Sequence, residues 1–491
     1  MRLKTNLIIS AIFLALLAFV YFYEIKGGEE RRSEAQRAKQ LLDFGDHEVT
    51  RFTILRHGFR PTAENPWHGD STVVVEKTPD RWEVRAPAAV AADQDAVERY
   101  LRSLRETEVE RVIEDSAAMA GEPARRARYG LEPPRLEVLV ELADGPQDTV
   151  ALGADTPTAQ YTYGRRSGPN PEIFAVRAWR FDNLDKGLFD LRDRRVLAFE
   201  REAVQEIRLE RSWEEAPVVI ARQPGGGWRL TSPVAAAADE GAVSGILSRL
   251  QNGKAERFAA EQPGDAEVVE RGLAPEGALI RLSLLVGEDR AEKRLTIGYE
   301  EGGGAHFARD ASRPAIFTVD STLVNQLRKP LFDLRDRRPL RLDRERVRGL
   351  RLSRPGREDV VAERDSAGAW QITAPEARPG REWAINSVLN DLDGIEVVEF
   401  VASADPAAAA RSFGLAAPRL TVVLRLADGS EMEARFGDED AGRVYLARGA
   451  DIFLAPASVV GDLDQELEDL AEPPSAGSDS IGAVDGAAAG E

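Results

Sequence analysis

The segment Gly187-Leu-Phe-Asp-Leu-Arg-Asp-Arg-Arg-Val-Leu197 returns almost letter for letter as Pro330-Leu-Phe-Asp-Leu-Arg-Asp-Arg-Arg-Pro-Leu340. So charged a string does not recur by chance, and it joins repeating units. Three landmarks fix their register. Trp82-Glu-Val-Arg-Ala-Pro87, Trp228-Arg-Leu-Thr-Ser-Pro233 and Trp370-Gln-Ile-Thr-Ala-Pro375 lie 146 and 142 residues apart. Each is followed by apolar residues at i, i+3, i+4 and i+7: Val97, Tyr100, Leu101 and Leu104, then Val243, Ile246, Leu247 and Leu250, then Ile385, Val388, Leu389 and Leu392. That stripe predicts a helix lying on a core. Asp93 and Asp239 stand where an N-cap is wanted, and Arg381 stands there in the third copy.

The third landmark is Tyr129-Gly-Leu131, Arg271-Gly-Leu273 and Phe413-Gly-Leu415. Gly130, Gly272 and Gly414 suit the left-handed position that ends a helix. Leu136, Val138, Val140 and Leu142, like Leu420, Val422, Leu424 and Leu426, then alternate toward Asp-Gly, a strand and hairpin signal. Shorter strands are expected at 149–152, 161–164 and 173–176, at 432–436, 444–447 and 452–454, and before each tryptophan, as at 207–209 and 218–220. Each unit reads as three strands, a helix, a strand, a short helix, four strands and a closing helix. The predicted fold is α+β: three tandem homologous domains with mainly antiparallel sheets and a few helices each. A doubly wound fold would need regular β-α alternation, and a solenoid repeat would be much shorter.

Met1-Arg-Leu-Lys-Thr precedes a run from Leu7 to Tyr23 that is apolar or aromatic except for Ser10. At about 1.5 Å per residue it just spans a bilayer core. A cleaved signal peptide is the competing reading, but Val20-Tyr-Phe-Tyr-Glu24 is bulky where a peptidase wants small side chains. One uncleaved N-terminal transmembrane helix is therefore expected. Arg2 and Lys4 would hold its start in the cytoplasm, although Lys26, Arg31 and Arg32 weaken the asymmetry. The expected divisions are 1–25, cytoplasmic start and anchor; 26–45, helical stalk; 46–195, 196–338 and 339–470, three repeat domains; and 471–491, a disordered tail.

With 84 Asp and Glu against 65 Lys and Arg, the net charge of −19 leaves no general basic surface for a phosphate backbone, so no nucleic acid is expected as partner. The absence of cysteine excludes disulfides, thiolate metal sites and cysteine nucleophiles. Of four histidines, His47, His57 and His68 lie in the first unit without metal-ligand spacing, and His306 stands apart. Gly225-Gly-Gly227 and Gly302-Gly-Gly304 lack the context of a phosphate loop and read as hairpin turns. No nucleophile motif stands out, and no catalytic residue, metal or cofactor is assigned.

The joining segments offer arginine forks that could hold a phosphate or carboxylate. The favoured reading is structural: Phe189 and Phe332 pack at a domain end, and Asp190, Arg192, Asp193 and Arg194, like Asp333, Arg335, Asp336 and Arg337, pair across the junction. The unit ending in Leu463-Asp-Gln-Glu-Leu-Glu-Asp-Leu470 carries no such basic segment, so the motif occurs only where another unit follows. Trp82, Trp228 and Trp370 are expected in the repeat cores rather than on exposed sugar-binding platforms.

Together these motifs, from the stalk to about residue 465, resemble the bacterial domain of unknown function family 4340. The resemblance implies a membrane-anchored envelope protein, encoded in many cases beside ABC transporter components of the gliding-motility type, with no catalytic residues to carry over. The expected function is thus a noncatalytic scaffold in the cytoplasmic membrane, with the bulk of the chain periplasmic or extracytoplasmic and an ABC transporter component or other envelope protein as partner. The alternatives are a module that binds envelope glycan or lipid and, behind it, a hydrolase of envelope polymers.

Overall fold

Leu136, Val138, Val140 and Leu142 are all buried, and Glu137, Leu139 and Glu141 between them are only partly so. This alternation gives a strand one face for the core, and the strand lies mid-sheet in a computed structural model of the chain. The structure describes residues 39–42, 47–58, 71–114, 122–143, 147–167, 172–401 and 406–473. The expected membrane helix and most of the stalk lie outside them, as do His68 and the Asp144-Gly145 turn. Among the described residues no helix is long and apolar enough to cross a membrane.

The first repeat runs β1 (Val49–Arg56), β2 (Ser71–Lys77), β3 (Trp82–Ala86), β4 (Val90–Ala91), α1 (Gln94–Glu106), β5 (Arg111–Glu114), α2 (Pro123–Arg128), β6 (Leu136–Leu142), β7 (Asp148–Asp155), β8 (Tyr161–Ser167), β9 (Glu172–Arg177), α3 (Ala178–Leu184) and α4 (Leu188–Leu191). The second has β10 (Val204–Arg211), β11 (Val218–Arg222), β12 (Trp228–Ser232), β13 (Ala236–Ala237), α5 (Glu240–Asn252), β14 (Arg257–Ala260), α6 (Asp265–Glu270), β15 (Ile280–Val286), β16 (Ala291–Gly302), β17 (Ala305–Asp310), β18 (Ile316–Val319), α7 (Ser321–Leu327) and α8 (Leu331–Leu334). The third has β19 (Val347–Ser353), β20 (Val360–Arg364), β21 (Trp370–Ala374), β22 (Arg378–Pro379), α9 (Glu382–Asp393), β23 (Glu399–Val401), α10 (Pro406–Ser412), β24 (Leu420–Leu426), β25 (Glu431–Asp440), β26 (Arg443–Arg448), β27 (Asp451–Pro456), α11 (Ser458–Leu463) and α12 (Leu467–Leu470).

These strands make three nine-stranded antiparallel sheets of identical order, the first being β4-β3-β2-β1-β6-β7-β8-β9-β5. The α+β repeat expected from the sequence is therefore present three times. Two details differ from the sequence reading. A two-residue strand follows each proline turn, and the closing helix is two short helices with a break. At the break Arg56, ending β1, grips Asp185 with Nε 2.6 Å from Oδ1. In the third repeat Arg354 holds Asp464 in the same way at 2.8 Å.

The chain divides into two compact units. One runs to Val204 and adds Arg211–Trp213 and Ser248–Val324; the other comprises Gln205–Glu210, Glu214–Leu247 and the chain from Asn325 on. In the first unit, the core gathers Phe52, Ile54, Val138, Val140, Val150, Leu152, Phe174 and Val176 from one sheet face under Val97, Tyr100 and Leu104 of α1. Ala151 and Ile173, one register step away, join Leu131 on the opposite face. In the second unit Leu446 and Phe453 face α9 while Ala447 and Ile452 pack with Leu415. Asp93 and Asp239 cap their helices, accepting from Ala96 N–H at 3.0 Å and Ala242 N–H at 2.7 Å, and Arg381 supplies no side-chain cap.

Gly130, Gly272 and Gly414 have φ of 65°, 67° and 70°, the left-handed conformation expected of them. Each turn is pressed onto a second glycine that sequence reading passed over: Gly153, Gly298 or Gly437. A Cβ on Gly298 would collide with the Arg271 carbonyl oxygen, and one on Gly437 with that of Phe413. The adjacent N–H groups of Ala154, Tyr299 and Asp438 donate to the carbonyls of Tyr129, Arg271 and Phe413 at 2.9, 3.0 and 2.8 Å. Gly298→Ala is therefore expected to cost about 1–3 kcal/mol, since backbone must move to admit the methyl. Thermal unfolding would read this against Gly461→Ala, whose Cβ meets open space in a helix, and which should raise stability by up to about 1 kcal/mol.

Candidate functional site

The joining segment is the most conspicuous chemistry in the sequence, and its backbone is hydrogen-bonded in two directions. Looking back, Asp93 N–H donates to Leu191 O at 2.9 Å and Asp193 N–H to Ala91 O at 2.8 Å. Looking forward, Ala255 N–H donates to Arg194 O at 2.7 Å and Val196 N–H to Gly253 O at 3.0 Å. In the second unit the other copy does the same. Asp239 N–H reaches Leu334 O, Asp336 N–H reaches Ala237 O and Val397 N–H reaches Arg337 O, each at 2.9 Å.

The side chains add a clamp. Arg192 is 4 % exposed and lies 3.2 Å over the Phe258 ring. Its guanidinium binds both oxygens of Glu261, with Nη2 2.9 Å from Oε2. Arg335 lies 3.5 Å over Phe400, a ring that also meets Phe332 edge-on at 5.5 Å. Burial lowers the Arg335 pKa from its ordinary value. Arg337 pairs with Glu396 at 3.5 Å, and Arg194 covers Phe189 at 4.5 Å. A desolvated guanidinium on an aromatic face contributes about 2 kcal/mol, and the bidentate carboxylate more. Arg192, Arg335 and Arg337 are therefore engaged by the next repeat.

Not every expected pairing crosses the junction. Asp190 accepts from Gly187 N–H at 2.8 Å at the start of its own helix. Pro330 has no N–H to offer Asp333, whose helix shows no side-chain cap. Asp193 binds Arg195 two residues on, at 2.6 Å, and Asp336 binds Arg341 at 2.5 Å. Arg313 does cross, donating to Asp193 O at 3.1 Å.

The two ends of the array differ in a matching way. Gly380 bridges Ala471 in the place where Ala92 bridges Arg192 and Ala238 bridges Arg335. Leu467-Glu-Asp-Leu-Ala471 is thus the third copy of the joining segment, with Ala471 at the arginine's position. Sequence reading missed this and placed Ala471 and Glu472 in the tail, whereas Ala471 is buried and Glu472 N–H donates to Pro379 O at 2.8 Å. At the other end Val112 occupies the position of Phe258 and Phe400, opposite Phe174 as they are opposite Phe317 and Phe453. It is 44 % exposed. Gln40 bridges Glu108 as Arg195 bridges Lys254, so residues 39–42 serve as the entry segment of the first repeat. Leu41 and Leu42 lie in its core instead of on a helical stalk.

Trp82 and Trp370 are buried as expected, and Trp228 is half-buried. Each faces a cross-strand cation: Lys77 at 5.8 Å, Arg222 at 4.8 Å and Arg364 at 4.6 Å. The motif prolines follow cis peptide bonds at Ala86, Ser232 and Ala374. His47 is exposed, and buried His306 has Nδ1 3.0 Å from Gly304 O. Among the described residues no group of three His, Cys, Asp or Glu side chains could hold a metal ion.

Sequence reading also passed over an open pocket of about 430 Å³ in the first repeat, formed by α1, α3 and the turn before α4. Tyr100, read as a core residue, lines it with Ser103 and with Arg99, Arg102, Arg180 and Lys186. The signal was available: α1 carries Tyr100 where the other repeats have Ile246 and Val388.

The fold and its junctions define an α+β tandem-repeat protein. The family model described as Domain of unknown function (DUF4340) matches residues 82–227, 228–410 and 370–474, each match beginning at a motif tryptophan, and the chain belongs to that family. No curated protein and no solved structure matches it.

Arg192→Ala would leave Glu261 and Phe258 without their partner and should cost about 2–4 kcal/mol, seen as a lower unfolding temperature. Arg192→Lys should recover less than half of that loss. Asp193 offers a pH test. Burial raises its pKa, but hydrogen bonds from Arg195 and the charge of Arg313 outweigh this and hold it below the ordinary 3.8. Its contribution is therefore complete above the ordinary value and lost as pH falls through the depressed one. Asp193→Asn should unfold at a lower temperature than the parent chain at pH 7, and the gap should close below about pH 4.

Proposed function

We propose that this chain is a noncatalytic, membrane-tethered extracytoplasmic scaffold whose repeats present surfaces to a protein of the cell envelope, such as a component of an ABC transporter. One observation supports the reading: of the residues most suggestive of chemistry, the joining arginines Arg192, Arg335 and Arg337 are taken up in fastening one repeat to the next. Repetition here extends a surface, and nothing in the repeated motifs is held back for a substrate. The tether rests on the apolar run from Leu7 to Tyr23 and the preceding Arg2 and Lys4. The family match is consistent with this and assigns no activity.

The full chain should sediment with membranes, resist alkaline extraction, and be degraded by protease added from the extracytoplasmic side. Removing residues 1–25 should release it. Mild crosslinking in native membranes should then recover a constant envelope partner; a full-length chain found free of membranes, or one that recovers no partner, would sink the proposal.

A further inference from the structure

Tyr100 is 3 % exposed, its ring stacked on Phe52 with centroids 5.1 Å apart. Its hydroxyl makes no hydrogen bond within the protein, nor does the buried Oγ of Ser103 one turn on. A buried hydroxyl without a partner costs about 1–3 kcal/mol. The other two repeats avoid that cost with Ile246 and Val388. Both residues line the pocket of about 430 Å³.

The remaining lining is cationic in a chain of net charge −19. Arg99, Arg102, Arg180 and Lys186 lie around the opening, against two carboxylates, Glu106 and Asp190. Asp190 is already bound to Gly187 N–H. Arg180 also lies 4.2 Å over the exposed Trp179 ring. Asp185, the other nearby carboxylate, is held by Arg56. Burial, followed by the Asp185 charge, raises the Tyr100 pKa well above its ordinary value, so the hydroxyl stays protonated and can donate. These groups converge only in this repeat, since the positions of Arg99, Arg102 and Ser103 carry Gly245, Ser248 and Arg249 in the second and Ser387, Asn390 and Asp391 in the third.

We propose that this pocket binds a phosphate monoester, its oxygens accepting from Tyr100 and Ser103 while the surrounding guanidinium and ammonium groups neutralise its charge. Buried neutral donors fix position, and planar arginine donors match phosphate geometry. The same chemistry is offered by a small soluble phosphate ester and by the headgroup of an anionic lipid. The inference stands apart from the scaffold reading, because it rests on the first repeat alone.

Titration calorimetry on the full chain in nonionic detergent would use three probes: inorganic phosphate, glycerol 3-phosphate and a short-chain phosphatidic acid. One site per chain is expected. Tyr100→Phe keeps the ring on Phe52 and removes only the donor, and should weaken binding about tenfold. The Arg99→Gln, Arg102→Gln double variant should weaken it further; it should melt near the parent temperature, and Tyr100→Phe at or above it. Equal affinity for glycerol 3-phosphate and the lipid supports the proposal and assigns the phosphate group alone; tighter binding of the lipid supports it and assigns a headgroup. Failure of all three probes to bind the parent chain, or affinity unchanged in either variant, overturns it.

Discussion

The connector's two-sided backbone pairing is the constraint on which the rest depends. A segment hydrogen-bonded only to the repeat it leaves would act as a hinge; here Asp193 N–H is tied to Ala91 while Arg194 O is tied to Ala255. The pairing consumes backbone groups that would otherwise need water, and it continues through Val196 and Leu197 into the buried interior of the next repeat. The same two-way pattern recurs between Ala237 and Val397.

On that frame an arginine clamp is added at each of the two junctions. Burying a guanidinium is costly unless its charge and donors are satisfied. Arg192 has Glu261 against its two terminal nitrogens and Phe258 against its face. Arg335 leans on Phe400. In the third repeat the arginine's position is Ala471, and in the first repeat the ring's position is Val112.

Much of the fold was legible in the sequence because its signals are local. Alternation along 136–142, the stripe of Val97, Tyr100 and Leu104, and the glycine ending each short helix all act within a few residues, and each element formed where expected. The capping aspartates and the lack of one at Arg381 were read correctly for the same reason. What was missed depends on contacts distant in sequence. Gly153 matters only because Tyr129-Gly130 lands on it, and Leu41 and Leu42 look helical until Thr107 and Glu108 pair beside them. The third joining segment was hidden because its identity lies in a bridge to Gly380, not in its letters. The Tyr100 pocket was hidden because a tyrosine on an apolar stripe reads as core until its hydroxyl is found without a partner.

Each family match begins at a motif tryptophan, on the third strand of a sheet, so the unit read by sequence comparison is offset from the unit that folds. A segment copied in frame from one tryptophan to the next would carry the last seven strands of one sheet, a complete connector, and the first two strands of the following sheet. Duplication or loss of that segment could change the number of repeats while leaving the specialised terminal copies untouched.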